Sequence, residues 1–300
     1  MREILILSGK GGTGKTTLTA AFAHLASNHV ICDLDVDAPD LHLILQPDTH
    51  TTEAFESGHE AVIRPEDCER CGTCLDACRY DAIQGDDPPV VDSLKCEGCK
   101  LCVALCPADA ITFALNHCGD WYQSESRFGP MVHAQLFPAE ENSGRLVALL
   151  RQQARAMAEA QGRDLILSDG PPGIGCPVIA ALSGVDLAVI VTEPTVSGRH
   201  DLERVLELCR HFKIPAGVII NKCDLNLDQA NDIKAYCRTQ HLPLIGELPH
   251  DQVFTEAMVQ GLTVTEFRPE GIGAAVESVW HTILEIGAEP ASTKDQAAIG

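Results

Sequence analysis

Positive charge is scarce in this chain: 22 lysines and arginines stand against 43 aspartates and glutamates, a formal net charge of −21. Such a surface repels phosphate backbones and anionic lipid at long range, which disfavours direct nucleic-acid binding and direct membrane attachment. No stretch approaches the roughly 20 apolar residues that a membrane span needs. The apolar run Ile4-Leu5-Ile6-Leu7 is too short for a secretory signal and leads straight to Gly9. A basic amphipathic helix at the end is also missing; residues 287–300 are rich in Ala, Ser and Pro, a composition that predicts a mobile tail. These absences predict a cytoplasmic protein that would need an adaptor to reach a membrane or a nucleoid.

Cysteine, by contrast, is abundant, with 14 residues. In a reducing compartment that number argues for metal ligands or free thiols rather than disulfides. Eight fall in two runs, Cys68, Cys71, Cys74, Cys78 and Cys96, Cys99, Cys102, Cys106. Each run is C-x2-C-x2-C-x3-C, the spacing that offers thiolates to the irons of a [4Fe-4S] cubane. In two-cluster ferredoxins the fourth cysteine of each run serves the other cluster. That rule pairs Cys68, Cys71 and Cys74 with Cys106, and Cys96, Cys99 and Cys102 with Cys78. Zinc is the competing reading, but its sites usually take two separated Cys-x-x-Cys pairs. Arg79-Tyr80-Asp81-Ala82-Ile83 and Pro107-Ala108-Asp109-Ala110-Ile111 follow the two runs, so the segment reads as an internal duplication, with Arg79 where proline is more usual. So small a unit could scarcely hold itself together by burial alone, and bound clusters would supply the missing stability. The scattered Cys32, Cys118, Cys209, Cys223 and Cys237 read as small buried hydrophobes.

Elsewhere, continuous apolar strands alternate with helical patterns. Strands are predicted at Ile4–Leu7, Val30–Asp33, Leu165–Asp169, Asp186–Thr192, Gly217–Asn221 and Leu244–Glu247. Helices are predicted at Thr16–Ser27, Gly144–Gln161, Arg199–Phe212, Asp228–Gln240 and Ile272–Ile286. The alternation implies an α/β fold, a doubly wound and mainly parallel sheet covered on both faces. The expected organisation is a P-loop NTPase domain in two parts, 1–60 and 113–286, interrupted by a two-cluster ferredoxin-like insert at 61–112.

Gly9-Lys10-Gly11-Gly12-Thr13-Gly14-Lys15-Thr16 satisfies the nucleotide P-loop pattern between a strand and a helix. Its backbone N–H groups would curl round phosphate oxygens at a helix N-terminus. Lys15 would neutralise the β- and γ-phosphates and Thr16 would ligate Mg²⁺; Thr17 completes the contact stretch. Asp33, Asp35 and Asp37 alternate after the second strand. An EF-hand fails there, because a loop begun at Asp33 has Ala38 in place of glycine and Ile44 in place of glutamate. Leu165-Ile166-Leu167-Ser168-Asp169-Gly170-Pro171-Pro172-Gly173 reads as a Walker B strand running into a switch loop, with Asp169 near the metal. Asn221-Lys222-Cys223-Asp224 is placed to contact the base; it matches the guanine-reading Asn-Lys-x-Asp, so ATP and GTP both remain open at this point.

Lys10, which the generic pattern does not require, completes Lys-Gly-Gly-x-Gly-Lys-Thr. Here the chain resembles the deviant Walker A ATPases: MinD, ParA, Mrp-type ATPases and the nitrogenase iron protein. The resemblance favours ATP and implies that Lys10 reaches across a nucleotide-sandwich dimer to the partner's phosphates. It further implies that Asp35 orients the attacking water, while Asp33 and Asp169 sit near Mg²⁺. Over about residues 1 to 285 the whole pattern is similar to ferredoxin-containing MinD-superfamily ATPases. It includes Asp35-Val36-Asp37-Ala38-Pro39-Asp40-Leu41-His42, Gly119-Asp120-Trp121, Glu141-Asn142-Ser143-Gly144, Glu193-Pro194-Thr195 and Gly198-Arg199-His200-Asp201-Leu202. Cys176 lies seven residues after Asp169, near the offset of a cluster ligand in the nitrogenase iron protein. The second cysteine such a bridging cluster needs is absent from Asn142-Ser143-Gly144-Arg145, so Cys176 reads as a structural thiol or an additional thiol site.

The leading expectation is an ATP hydrolase, slow and partner-stimulated, whose dimer gates electron transfer by, or metallocluster maturation through, two [4Fe-4S] clusters. Its expected partners are a second copy or a paralogous ATPase, and a redox or metalloprotein client. The alternative is a spatial-organisation or scaffold ATPase with structural or redox-sensing clusters. An amidating ligase of the cobyrinate type would need a glutamine-amidotransferase domain, for which the chain has little room.

Overall fold

The computed structural model describes residues 1–138, 140 and 143–286. The expectations placed on the tail 287–300, on Glu141 and on Asn142 fall outside them. Contacts divide the chain into two compact units. The first comprises Met1–Thr52, Trp121–Gln135 and the chain from Ser143; the second comprises Glu53–Asp120 and a short return from Leu136. The second unit is wider than the expected insert at 61–112.

In chain order the elements begin with β1 (Arg2–Ser8), α1 (Lys15–Leu25), β2 (His29–Asp33), α2 (Leu41–Leu45) and β3 (Asp48–Ile63). Then come α3 (Thr73–Ala77), β4 (Ile83–Gln84), β5 (Val90–Val91), α4 (Leu101–Leu105), β6 (Ile111–Ser126) and β7 (Gly129–Leu136). The rest are α5 (Ser143–Gln161), β8 (Leu165–Pro172), α6 (Cys176–Leu182), β9 (Leu187–Thr192), α7 (Val196–His211), β10 (Ala216–Asn221), α8 (Leu227–Thr239), β11 (Leu244–Leu248), α9 (Val253–Val259), α10 (Val264–Phe267) and α11 (Ile272–Ile286).

The main sheet runs β11-β10-β9-β1-β8-β2-β7-β6-β3. From β11 to β7 the pairings are parallel. β1, β2 and β9 are buried almost throughout, as strands covered on both faces must be. Ile4, Ile6, Leu18, Phe22, Leu167, Val189, Val276 and Trp280 belong to the first unit's core, where Phe22 stacks on Trp280 at 5.3 Å. Glu3, buried in β1, is held by Arg151 at 2.7 Å and Arg155 at 2.6 Å, both on α5.

β3, β6 and β7 were not expected as strands. β3 reads DTHTTEAFESGHEAVI, with few buried side chains, and its composition resembles a loop. Helix starts also move: the helix expected from Arg199 begins at Val196, where the Thr195 hydroxyl accepts from the Gly198 N–H and caps it.

The second unit has a small core of Ala61, Cys74, Ile83, Cys102 and Ile111. Two of these five are cysteines, and Cys78, Cys96 and Cys106 pack against them. The two cysteine runs fold alike. Each helix starts after a left-handed residue, Gly72 (φ 75°) before α3 and Lys100 (φ 65°) before α4. Each ends on an extended cysteine, Cys78 or Cys106.

Candidate functional site

The phosphate-binding pattern lies between β1 and α1. Gly14 takes φ 91° at the N-cap of α1, and a side chain there would collide with the Asn221 amide. Ser8, Gly11, Gly12, Thr13, Gly14, Lys15, Thr16 and Thr17 line one cleft together with Asp35 and Asp37. The left-handed glycine and the helix N-terminus aim backbone N–H groups into that cleft. Gly9 packs against Asp201 of α7, which leaves no room for a side chain.

Strand register gathers the acidic residues. Asp33 at the end of β2 pairs with Asp169 of β8, and Ile6 of β1 pairs with Asp169 from the other side. The Lys15 ammonium lies 3.0 Å from Asp169 and 3.5 Å from Asp35. Asp169 also accepts from the Thr16 hydroxyl at 2.7 Å and the Thr19 hydroxyl at 2.8 Å. Asp33 accepts from the Asp35 N–H at 3.1 Å, while its buried Oδ2 has no partner. Burial would depress Lys15, yet Asp169 and Asp35 hold it above its ordinary value. Burial and Asp169 push Asp33 well up. Burial also lifts Asp35 to about 6, against the pull of Lys15.

Lys10 turns to its own chain. Its ammonium meets Glu193 at 2.5 Å and Ser197 at 3.1 Å. Lys222 reaches the same carboxylate at 3.5 Å and donates to the Gly12 carbonyl at 3.0 Å. Burial raises Glu193, but the two lysines outweigh it and draw the carboxyl below its ordinary value. Asn221 donates to the Thr13 carbonyl at 2.8 Å and accepts from the Lys222 N–H, so its amide braces the loop. Asp224 likewise accepts from the His250 N–H at 2.5 Å. Sequence reasoning missed Glu193 and Thr19 as neighbours of the loop, and placed Lys222 with the base-contacting Asn221-Lys222-Cys223-Asp224 rather than on the Gly12 carbonyl. Thr19 stands one helical turn after Lys15, and that spacing was the available signal.

The eight clustered cysteines line two cavities in the second unit. One is bordered by Cys68, Cys71, Cys74 and Cys106, with Ile63, Pro89 and Ile111. The other is bordered by Cys96, Cys99, Cys102 and Cys78, with Val91 and Phe113. Among the described residues no three His, Cys, Asp or Glu side chains converge on a point that could hold one metal ion. Each cavity is instead bordered by four thiols spread round its wall, three from one run and the last from the other. Cys176 is exposed at the start of α6, and Gly144 of α5 lies beside it.

A glycine loop at the carboxyl ends of parallel strands, with its lysine among strand-end carboxylates, defines a P-loop nucleotide-binding protein. The family model of the CobQ/CobB/MinD/ParA nucleotide binding domain matches residues 4–264, and the chain belongs to that family. It is a P-loop ATPase of the MinD/ParA type. It is similar to an uncharacterized protein of Methanocaldococcus jannaschii, MJ0578, at 36% identity over 228 residues, 75% of this chain and 79% of the relative. A second protein of that organism, MJ0579, is 27% identical over 229 residues, 74% and 80% of the two chains. A cytosolic Fe-S cluster assembly factor Nubp1 homolog of Drosophila melanogaster is 28% identical over 125 residues, 35% of this chain and 40% of that one. The septum site-determining protein MinD from Pyrococcus horikoshii, complexed with Mg-ADP, shares the fold: TM-score 0.56 at 20% identity, covering 96% of this chain and 99% of that one. No helix among the described residues is long and apolar enough to cross a membrane.

Proposed function

We propose that the protein is an iron–sulfur ATPase, in which ATP bound in a nucleotide-sandwich dimer gates electron transfer by, or metallocluster maturation through, two [4Fe-4S] clusters. The observation that carries this reading is the pair of cavities, each bordered by four thiols, three from one run and the last from the other. Cys68, Cys71, Cys74 and Cys106 would hold one cluster, and Cys96, Cys99, Cys102 and Cys78 the other, in a ferredoxin-like insert. The clusters would supply one-electron storage.

In the nucleotide cleft, Lys15 is the cation that exchanges partners. Bound to Asp169 and Asp35 here, it would move to the β- and γ-phosphates and release both carboxylates. Thr16, Asp169 and Asp33 would hold Mg²⁺: the Thr16 hydroxyl already bonds Asp169 at 2.7 Å, and the buried Asp33 Oδ2 has no hydrogen-bond partner for a metal to displace. The metal would neutralise phosphate charge. Asp35, once free of Lys15, orients the attacking water. Lys10 would leave Glu193 for the phosphates of a partner subunit, either a second copy or a paralogue. The similarity to both MJ0578 and MJ0579 supports the paralogue arrangement. The Nubp1 likeness favours a metalloprotein client. Localisation in the cytoplasm fits the reducing conditions the thiols need.

Anaerobic EPR of the dithionite-reduced protein, with and without MgATP, tests the reading. Two cubane signals whose shape or midpoint shifts with nucleotide are expected. Cubanes indifferent to nucleotide, in protein that binds ATP, would transfer the reading to a scaffold ATPase with structural or sensory clusters. The MinD-like fold favours that second reading. Stimulation of turnover by liposomes or DNA at physiological salt would support it.

A further inference from the structure

The two cysteine runs match in backbone course, and the match brings out how their surroundings differ. In both, the amide four residues beyond the last cysteine donates to its sulfur: Ala82 N–H to Cys78 Sγ at 3.4 Å, Ala110 N–H to Cys106 Sγ at 3.3 Å. The first residue of the short helix differs. In α3 it is Thr73, whose hydroxyl lies 3.3 Å from Cys71 Sγ. In α4 the same place holds Leu101, which has no donor. The Arg70 N–H adds a contact to Cys68 Sγ at 3.4 Å on the Thr73 side.

We infer that Thr73 makes the two cluster sites unequal, so that the one bordered by Cys71 has the higher reduction potential. This rests on the proposed clusters. A ligating thiolate carries no proton, so the Thr73 hydroxyl must be the donor. A hydrogen bond to a ligating sulfur draws off negative charge, which favours the reduced and more negative state and raises the potential. The opposing influence is Lys100, a cation at the other cavity where the first run has Gly72. Its ammonium is exposed and sits 5.3 Å over the Phe113 ring, so solvent and salt screen its field. The Thr73 bond acts on the sulfur itself, with no water between. It therefore outweighs Lys100, and a single added electron rests on the Cys71 side. Each couple takes up one electron, and Thr73 keeps its proton.

The test is a potentiometric titration of the full chain followed by EPR, on wild type, Thr73→Val and Leu101→Thr, with iron and sulfide content measured beforehand. Two resolved midpoints are expected in the wild type. Thr73→Val should lower the higher one and leave the other in place, and Leu101→Thr should raise the lower one. If Thr73→Val loads poorly, the Leu101→Thr shift decides. Two cubanes whose midpoints ignore both substitutions would overturn this inference alone. A protein that binds no cubane would overturn the cluster reading and this inference with it.

Discussion

At the scale of single residues, the two lysines of the phosphate loop divide their tasks by burial. Lys15 is buried among carboxylates, whereas Lys10 is a third exposed and paired with Glu193. Lys15→Ala should abolish ATP binding, read by calorimetry, because among the described residues no second buried cation lines the cleft. Lys10→Ala should leave binding within a few-fold of wild type and remove turnover, since its proposed target belongs to another subunit. A Lys10→Ala protein that hydrolyses ATP normally would refute the action in trans. The loop, Lys10, Asp35 and Asp169 were all legible in sequence because phosphate binding demands fixed residue types at fixed spacing. Glu193 was not, since an ion pair between side chains 183 residues apart leaves no local pattern. Asn221, expected from its motif to contact the base, donates its amide to the Thr13 carbonyl of the loop. Asn221→Ala removes a buried hydrogen bond, worth about 1–2 kcal/mol. The expected outcome is roughly ten-fold weaker ATP binding with the fold retained, measured by calorimetry and circular dichroism.

At the scale of elements, the ties between β1, α5 and α6 are polar as well as apolar. Arg151 bonds Glu3 of β1 and donates to the Ala180 carbonyl of α6 and to that of Ser183 just beyond it, at 2.8 and 2.6 Å. Glu3→Ala would leave a buried guanidinium without its counter-charge, a loss of about 3–5 kcal/mol. A fall in unfolding free energy of that size, read from the urea midpoint and slope, is the expected result. The strands of the central sheet could be read because they are apolar throughout, as β9 (LAVIVT) is. β3 and β6 could not, because each is 16 residues long and mixes polar with small residues. Buried positions such as Phe55 and Ser57 are too sparse in β3 to reveal a period of two. β3 lies beside β6, far along the chain, and a local window does not contain that neighbour.

At the scale of the whole molecule, two buried histidines set an acid limit. His29 and His133 are each lowered from an ordinary 6.5 to about 4, mainly by burial, with Arg163 and His42 respectively adding to it. Both stay neutral in the fold and take up a proton on unfolding. Their contribution is therefore complete above pH 6.5 and drains away as pH falls towards 4, by up to about 1.4 kcal/mol per pH unit for each. Urea midpoints should decline across that window, and His133→Gln should make the decline shallower. The two-unit organisation predicts a second split. Stripping iron anaerobically with a chelator should expose Glu53–Asp120 to protease while the first unit still binds nucleotide. Loss of both together would mean that the units do not fold independently.

The exchange of the last cysteine between runs has a consequence for inheritance. A segment whose halves each complete the other's site cannot be trimmed to one half, because deleting either run leaves the survivor with three thiols and an open cavity. Nor can a half be improved in isolation, since a change near Cys78 is felt at the cavity of Cys96 and one near Cys106 at that of Cys68. On the proposed cluster assignment the pair of runs is therefore locked: it can be kept or discarded, and grafted only whole.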